Sequence, residues 1–124
     1  KLQHMVSTRE LGEIAEGLAV QHLEKLGCQI LDRNWYHGHL ELDIIARDGD
    51  ELVIVEVKAR SGLRYEHPSE AVTNTKIKRI VEAADAYIIQ NDIELDTRFD
   101  VITVIFVDQK IELEHFKDAF YPTM

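Results

Sequence analysis

Apolar residues recur at helical spacing in two parts of the chain. The first pattern covers about residues 8–26, with Ser7 or Thr8 as the N-cap and Gly27 as the residue that ends the helix. The second pattern covers about residues 73–90. In both, the apolar side chains follow a period of about 3.6 residues, which predicts two helices that each bury one face.

Runs with the composition of strands lie between and after these helices. They cover residues 30–36, 40–46, 51–58, 98–107 and 110–115, and the last is a short edge strand. The Asp48-Gly49 turn predicts a hairpin between the second and third strands. Because a helix connects the third strand to the fourth, a right-handed crossover should make those two strands parallel. We therefore expect an α/β fold of order α-β-β-β-α-β-β, with a mixed sheet flanked by helices.

Length and composition narrow the class of protein. A chain of 124 residues, 45% of them hydrophobic, suits one domain, which we expect to cover residues 5–124, with residues 1–4 as added residues ahead of a natural start at Met5. The sequence contains neither an apolar run long enough for a membrane span nor a recognisable signal peptide. Its single cysteine, Cys28, excludes an internal disulfide, so we expect a cytoplasmic protein in which Cys28 is a small core residue.

The charge of the chain is unevenly distributed. A net charge of −9 argues against general affinity for nucleic acids. Residues 58–79, which we call the basic strip, nevertheless carry six basic and two acidic side chains, so the strip has a charge of +4 and the remaining residues −13. The strip is either a phosphate-binding face or an ordinary solvated loop and helix, and charge alone favours the second interpretation.

The stretch VIVEVKAR, residues 53–60, places charged side chains in a strand that is otherwise apolar on both faces. Side-chain alternation puts Glu56 and Lys58 on the same face. A buried carboxylate costs on the order of several kcal/mol unless it is compensated. The two residues therefore form either an ion pair at the frayed end of the strand or a site in which Glu56 binds a metal ion and Lys58 faces a substrate.

A second carboxylate is expected on the neighbouring strand. With its centre near Asp48-Gly49, the hairpin pairs Asp43 with residues 53–55. Asp43 would then lie beside Glu56 rather than opposite it, and the two would share a cleft if the strands diverge there. Glu41 has the same strand face as Asp43. Mg²⁺ is typically held by one or two carboxylates together with water and phosphate oxygens, so this cluster is a candidate metal site.

With these residues the chain resembles the PD-(D/E)XK nuclease superfamily. It is more similar still to the YraN-like family of small bacterial endonuclease-related proteins, which themselves resemble archaeal Holliday-junction resolvases. The resemblance covers nearly the whole chain, at Gly12-Glu13 with Ala15, Asn34-Trp35, Glu41-Leu42-Asp43 with Ile45-Ala46, Val55-Glu56-Val57-Lys58 with Arg60, Pro68, Ala71-Val72, Lys76 and Arg98-Phe99-Asp100-Val101. One departure is Leu40, where the family usually has glycine.

The resemblance implies a restriction-endonuclease-like αβββαβ core and a site for Mg²⁺ or Mn²⁺. Asp43 and Glu56 would hold the ion, with the Val57 carbonyl as a third ligand. Lys58 would act on the attacking water or on the phosphate. Glu13 would reach in from the first helix as an additional ligand or supporting group, although its position is equally consistent with an exposed glutamate favoured by the helix dipole.

The function implied is a metal-dependent endonuclease that hydrolyses phosphodiester bonds in DNA, in particular branched or damaged DNA, and that works as a homodimer. Nucleic-acid contacts are expected at Arg60, Arg64, Lys76 and Arg79 of the basic strip. One alternative is a nucleic-acid-binding module with a nuclease fold and no significant catalysis. The other is a purely structural partner-binding domain, which would give the buried Glu56 and Lys58 no purpose.

Three further charged residues near these motifs are expected to take no direct part in catalysis. Glu41 is interpreted as a carboxylate at the rim of the site. Arg98 and Asp100 begin a strand of the core, which favours a structural role for both.

Overall fold

The computed structural model describes residues 7–62 and 72–122. Its helices and strands are α1 (Thr8–Lys25), β1 (Gln29–His37), β2 (Leu40–Asp48), β3 (Glu51–Ser61), α2 (Asn74–Gln90), β4 (Asp96–Val107) and β5 (Lys110–Phe116). The order α-β-β-β-α-β-β is the predicted one, and each predicted element is present with bounds that differ by at most a few residues.

The five strands form one sheet in which their spatial order is β1-β2-β3-β4-β5. Neighbouring strands are antiparallel except for β3 and β4, which are parallel and are connected through α2. The predicted mixed sheet with a crossover helix is therefore confirmed, and β5 is an edge strand as expected.

Local hydrogen bonds explain where the helices begin. The Ser7 hydroxyl accepts from the Glu10 backbone N–H at 3.1 Å, and the Glu10 carboxylate accepts from the Ser7 N–H at 3.0 Å, which is a capping box. Thr73 caps α2 in a similar way, because its hydroxyl accepts from the Lys76 N–H at 3.2 Å. Gly27, with φ of +92°, follows the end of α1 in a conformation that suits glycine.

Neither helix of the described ranges is long and apolar enough to cross a lipid bilayer.

Each face of the sheet is covered by one helix. On the α1 side, the buried core consists of Ala15, Ala19, Leu23, Cys28, Ile44, Ala46, Val53, Val55, Ile102, Val104 and Phe106. On the α2 side, it consists of Leu40, Leu42, Ile45, Leu52, Ile54, Val72, Ile80, Ala83, Ala84, Tyr87, Phe99 and Val101. Burial on both faces explains the continuous apolar runs of β3 and β4, and Cys28 is the small core residue that was predicted.

The hairpin between β2 and β3 corrects the predicted register. Its last pair at the turn is Asp48 with Glu51, so the turn residues are Gly49 and Asp50 rather than Asp48 and Gly49. Gly49 has φ of +60° at the first turn position, where two-residue hairpins commonly require glycine. This one-residue displacement of the turn centre places Asp43 level with Glu56 on the neighbouring strand, so the predicted pairing of Asp43 with residues 53–55 is wrong.

The two strands diverge at this level, as the sequence interpretation required. Pairing between β2 and β3 ends at Ile44 with Val55. Beyond it, β2 stays paired with β1 as far as Leu40, and β3 stays paired with β4 as far as Ser61. A gap therefore opens in the middle of the sheet between residues 40–43 and residues 56–61, and we call it the strand gap.

At the other end of the hairpin, a buried polar network joins β4 to the β2–β3 turn. Asp100, which has no exposed surface, accepts two hydrogen bonds from Arg98 at 2.9 and 3.0 Å and one from His115 at 2.7 Å. Arg98 also donates to Asp48 at 3.1 Å and to Glu51 at 2.9 Å. Burial raises the pKa of Asp100, but the hydrogen bonds from His115 and Arg98 outweigh this effect and hold it below its usual value.

We expect Asp100→Asn to lower the free energy of unfolding by about 3 kcal/mol, because the substitution removes the one fully buried anionic partner of Arg98 and leaves it only the partly exposed Asp48 and Glu51. Urea unfolding at neutral pH measures the loss. Asp96→Asn, at an exposed position of the same strand, is the matched control and should change stability by no more than about 0.5 kcal/mol. Equal losses in the two variants would contradict a stabilising role for the network.

Candidate metal centre

Asp43 and Glu56 meet where the strand gap begins. Asp43 Oδ2 accepts a hydrogen bond from the Val57 backbone N–H at 2.9 Å. A side-chain carboxylate thus replaces the backbone partner that Val57 loses when the strands diverge. Glu56 is only 4% exposed, whereas Asp43 is half-buried, and the two carboxyl groups lie close enough to interact directly.

The conformation of β2 directs Asp43 into the gap. Leu42 packs on the α2 side of the sheet, whereas Ile44, two residues later, packs on the α1 side. In a regular strand these two side chains would share a face, so the alternation breaks at Asp43. On β1, the neighbouring Asn34 has φ of +49°, a left-handed conformation that asparagine tolerates better than most residues.

Burial and the neighbouring carboxylate dominate the electrostatics of the pair. Burial, the charge of Asp43 and the hydrogen bond with it together raise the pKa of Glu56 to about 8, while Lys76 and Lys58 oppose this shift. Glu56 is therefore mostly protonated at neutral pH, and the two carboxyl groups are held together by a proton. A pair that retains a proton at neutral pH is one that a cation can compete for.

Two lysines from different elements converge on Glu56. Lys76 Nζ, from α2, lies 3.3 Å from Glu56 Oε2, and Lys58 Nζ, from β3, lies 3.9 Å from the same oxygen. Both lysine side chains are about one third exposed and so retain access to solvent. The two lysines lie within ion-pair distance of Glu56, as the first interpretation of VIVEVKAR expected, although Glu56 is buried in β3 and not at a frayed strand end. The second interpretation, a metal site, stays a prediction.

The oxygen donors of the pair fit a hard divalent cation of the Mg²⁺ type. Within residues 7–62 and 72–122, no group of three or more His, Cys, Asp or Glu side chains is arranged to hold a metal ion. Two carboxylates with a nearby backbone carbonyl nevertheless match what Mg²⁺ usually takes from a protein, because it keeps several waters and accepts oxygens from its substrate. The same set is poor for zinc, which prefers nitrogen and sulfur ligands.

A cavity of about 710 Å³ adjoins the pair on the α1 side of the sheet. We call it the α1 cavity. Its carboxylate residues are Glu13, Glu16, Glu41 and Asp43, and Val57 and Ala59 of β3 also line it. The candidate centre is therefore reached from two directions, from α2 through the lysines and from α1 through this cavity.

Glu16 is a further candidate residue of this site, and the sequence analysis did not identify it. It accepts a hydrogen bond from Asn34 at 2.7 Å and a longer one from Arg33 at 3.5 Å. Burial first, and the charge of Asp43 second, raise the pKa of Glu16. Glu13, the predicted helix residue, also lines the α1 cavity, but its side chain is 70% exposed and pairs with Arg9 at 3.7 Å.

Comparison with known proteins places the chain in a family. The model of the uncharacterised protein family UPF0102 matches residues 15–104. This chain belongs to the UPF0102 family. A UPF0102 protein of Bacteroides thetaiotaomicron is 49% identical over 120 residues, which cover 97% of this chain and 99% of the relative. UPF0102 proteins of Flavobacterium psychrophilum and Chlorobium chlorochromatii are 43% and 45% identical, over 94% and 93% of this chain and 98% and 94% of those relatives.

The predicted site residues of this UPF0102 protein fall into three groups. Asp43, Glu56, Val57, Lys58 and Lys76 lie together at the strand gap. Glu13 and Glu41 line the α1 cavity. Of the other predicted nucleic-acid contacts, Arg60 is half-buried on β3, Arg79 is exposed on α2, and Arg64 lies outside the described residues. Leu40, the departure from the usual glycine, is buried in the core on the α2 side.

The raised pKa of Glu56 predicts how the stability of the metal-free UPF0102 protein depends on pH. The folded pKa of about 8 exceeds the unfolded value of 4.5, so the contribution of Glu56 is complete below pH 4.5 and is lost as pH rises through 8. We therefore expect Glu56→Gln to become progressively more stable relative to wild type across this interval, by at most about 1.4 kcal/mol per pH unit.

Urea unfolding between pH 5 and pH 8.5 in the presence of EDTA measures this difference. Glu24→Gln, an exposed position on α1, is the control and should show no such trend. A difference between Glu56→Gln and wild type that does not change with pH would contradict the raised pKa.

Proposed function

We propose that this protein is a Mg²⁺- or Mn²⁺-dependent endonuclease of the PD-(D/E)XK type that hydrolyses phosphodiester bonds in DNA. The observation that carries the proposal is the buried pair of Asp43 and Glu56, set at a gap in the sheet with Lys58 beside it. A purely structural carboxylate pair would leave an unexplained cost, because two acidic groups in contact away from water destabilise the fold.

Asp43, Glu56 and the Val57 carbonyl would hold the ion. When bound, the ion would lower the pKa of a coordinated water and offset charge on the phosphate. The residues of the chain position the ligands. Asp43 is already oriented by the Val57 N–H, and Glu56 is fixed by burial and by two lysines, so the ligands are largely arranged before binding.

Lys58 is suited to the chemical step. Its ammonium group lies 3.9 Å from Glu56 and remains partly exposed, so a phosphate or water at the centre would come within its reach. An ammonium group in this position would orient the attacking water or offset negative charge that grows on the phosphate. Lys76 adds a second positive charge from α2, and Arg79 extends that charge one helical turn further along the exposed face.

The contact surface for the polymer is expected to be short because the positive charge is local. On a body of net charge −9, phosphate contacts are restricted to the surroundings of the strand gap and the basic strip. A short contact surface of this kind suits recognition of a structural feature such as a branch or a lesion rather than a long duplex. Two copies of the chain would be required to cut two symmetric strands of a branched substrate.

A second candidate is a nucleic-acid-binding module that lacks catalysis. It is favoured by the ion pairs of Lys76 and Lys58 with Glu56, because these lysines already compensate the buried carboxylate without a metal. In that case the fold would retain phosphate contacts while the pair of carboxyl groups keeps its proton. Metal binding and cleavage discriminate between the two candidates.

We expect Asp43→Ala to weaken Mn²⁺ binding by at least about tenfold, since loss of even a supporting group around a metal typically costs 10- to 100-fold in affinity. Isothermal titration calorimetry of Mn²⁺ into both proteins at pH 8 measures the change. Asp96→Ala, an exposed carboxylate on β4, should bind as wild type does. Unchanged affinity in Asp43→Ala would remove the assignment of the metal centre.

Lys58→Met should reduce the rate of cleavage by about 100-fold or more while leaving folding and Mn²⁺ affinity nearly unchanged. Methionine keeps much of the aliphatic stem and removes the charge that would act in the transition state. The assay compares duplex, flap, single-stranded and four-way-junction DNA with Mg²⁺ or Mn²⁺. Lys78→Met, an exposed lysine of α2, is the control.

Equal cleavage rates in wild type and Lys58→Met would exclude the proposed role of this lysine. If wild type binds DNA but cleaves none of these substrates with either metal, the binding-module function replaces the endonuclease.

A further inference from the structure

The α1 cavity contains groups that the proposed chemistry does not use. Tyr36 of β1 lies on its wall with 61% of its surface exposed, and Arg9 and Arg33 line the same cavity. An aromatic ring next to two arginines is the combination that binds single nucleic-acid strands, because the ring stacks on a base and the guanidinium groups bind phosphates.

Tyr36 is held in place although its ring is exposed. Tyr36 and Glu41 are paired across β1 and β2, so the backbone of Tyr36 is fixed by the sheet and its phenol lies near the Glu41 carboxylate. Hydrogen bonding to Glu41 and the charge of this carboxylate raise the pKa of the Tyr36 phenol, so the phenol stays neutral. A ring that is fixed before binding loses little conformational freedom when a base stacks on it.

The two arginines are only weakly engaged by the protein. Arg9 lies 3.7 Å from Glu13 with a side chain that is 91% exposed, and Arg33 lies 3.5 Å from Glu16. The Arg9 pair is fully solvated and contributes on the order of 0–1 kcal/mol. The Arg33 pair is less exposed, with side-chain exposures of 45% for Arg33 and 14% for Glu16, but its 3.5 Å contact is at the outer limit of a hydrogen bond. Both guanidinium groups can therefore turn towards a phosphate, to which arginine binds through two parallel hydrogen bonds.

The size and charge of the cavity decide what it can accept. Its volume of about 710 Å³ lies within the range of pockets that enclose small ligands, and it has room for a nucleotide but not for a duplex. Glu13, Glu16 and Glu41 around it would repel a run of several phosphates. A short unpaired segment brings fewer phosphates close to these carboxylates and so meets less repulsion than a longer run. Asp43 on the cavity wall connects that segment directly to the candidate centre.

We propose that the α1 cavity binds one unpaired nucleotide of the DNA strand that is cut, with its base stacked on Tyr36 and its phosphate held by Arg9 and Arg33. The inference rests on the proposed endonuclease function and gives it a substrate class, which is DNA with a single-stranded overhang or flap next to a duplex. Fully paired DNA would leave the cavity unused.

The test measures binding of a hairpin duplex whose first overhanging base is 2-aminopurine, with Ca²⁺ in place of Mg²⁺. Fluorescence anisotropy gives the affinity, and quenching of 2-aminopurine reports stacking. Wild type should quench the probe and bind the overhang substrate more tightly than the blunt hairpin. Tyr36→Leu should lose the quenching and bind the overhang about 5- to 100-fold more weakly, which corresponds to the usual effect of one stacked base.

Two further variants separate stacking from other effects. Tyr36→Phe keeps the ring and removes the hydrogen bond to Glu41, so it should retain the quenching and most of the affinity. Tyr121→Leu, which removes another exposed tyrosine outside the cavity lining, should behave as wild type does. The double variant Arg9→Gln, Arg33→Gln should flatten the salt dependence of binding by roughly one unit for each phosphate that the protein no longer neutralises.

The inference is overturned if Tyr36→Leu matches wild type in affinity and quenching, or if the blunt hairpin binds as tightly as the overhang. Cleavage with Mn²⁺, measured in parallel, is the separate test of the endonuclease. Cleavage that does not depend on Tyr36 would remove the cavity assignment and keep the endonuclease. Tyr36-dependent binding without cleavage would keep the cavity assignment and remove the endonuclease.

Discussion

The hydrogen bond from the Val57 N–H to Asp43 Oδ2 is the interaction on which the candidate site depends. A strand that leaves its neighbour exposes backbone donors, and a buried donor without an acceptor costs about as much as a missing hydrogen bond. The Asp43 carboxylate removes this cost at the point where β2 and β3 separate. It thereby allows the sheet to remain split, with β2 following β1 and β3 following β4.

The protein contains two buried carboxyl groups that are compensated in opposite ways. Asp100 is surrounded by donors from Arg98 and His115, so its charged form is favoured and its pKa falls. Glu56 instead faces Asp43, with only two partly exposed lysines to offset burial, and its pKa rises. The Asp100 network connects β4 to the β2–β3 turn, whereas the positive charge near Glu56 and Asp43 does not fully compensate the two carboxyl groups. Such a deficit costs stability in the metal-free protein and is the reason for locating function at the strand gap.

Most of the fold could be predicted because each element has a pattern that depends on its own residues. The helical period, the N-cap at Ser7 or Thr8 and the doubly buried strands could be predicted without knowledge of the rest of the chain. The register was wrong because it depends on a single turn. Gly49 takes the first turn position, which moves the turn centre by one residue and each cross-strand partner by two. Asp43, Glu56 and Lys58 could be identified from their motif. Glu16 could not, because its importance comes from Asn34 on another element, although its position three residues before the buried Ala19 was a weak signal.

The split in the sheet bears on how an acidic protein would bind a polyanion under the proposed function. Glu56 is approached by Lys76 from the α2 side, while Asp43 lines the cavity on the α1 side, so the pair lies between the two faces of the sheet. Two lysines lie on the α2 side of the sheet and two arginines on the α1 side. Each of these basic pairs has acidic residues beside it. A long, regular array of phosphates would meet net repulsion from the body of the protein. A single strand that bends into the gap would meet Lys76 and Lys58 on one side and Arg9 and Arg33 on the other. If the protein acts on DNA as proposed, local attraction combined with general repulsion would favour distorted or unpaired DNA over uniform duplex.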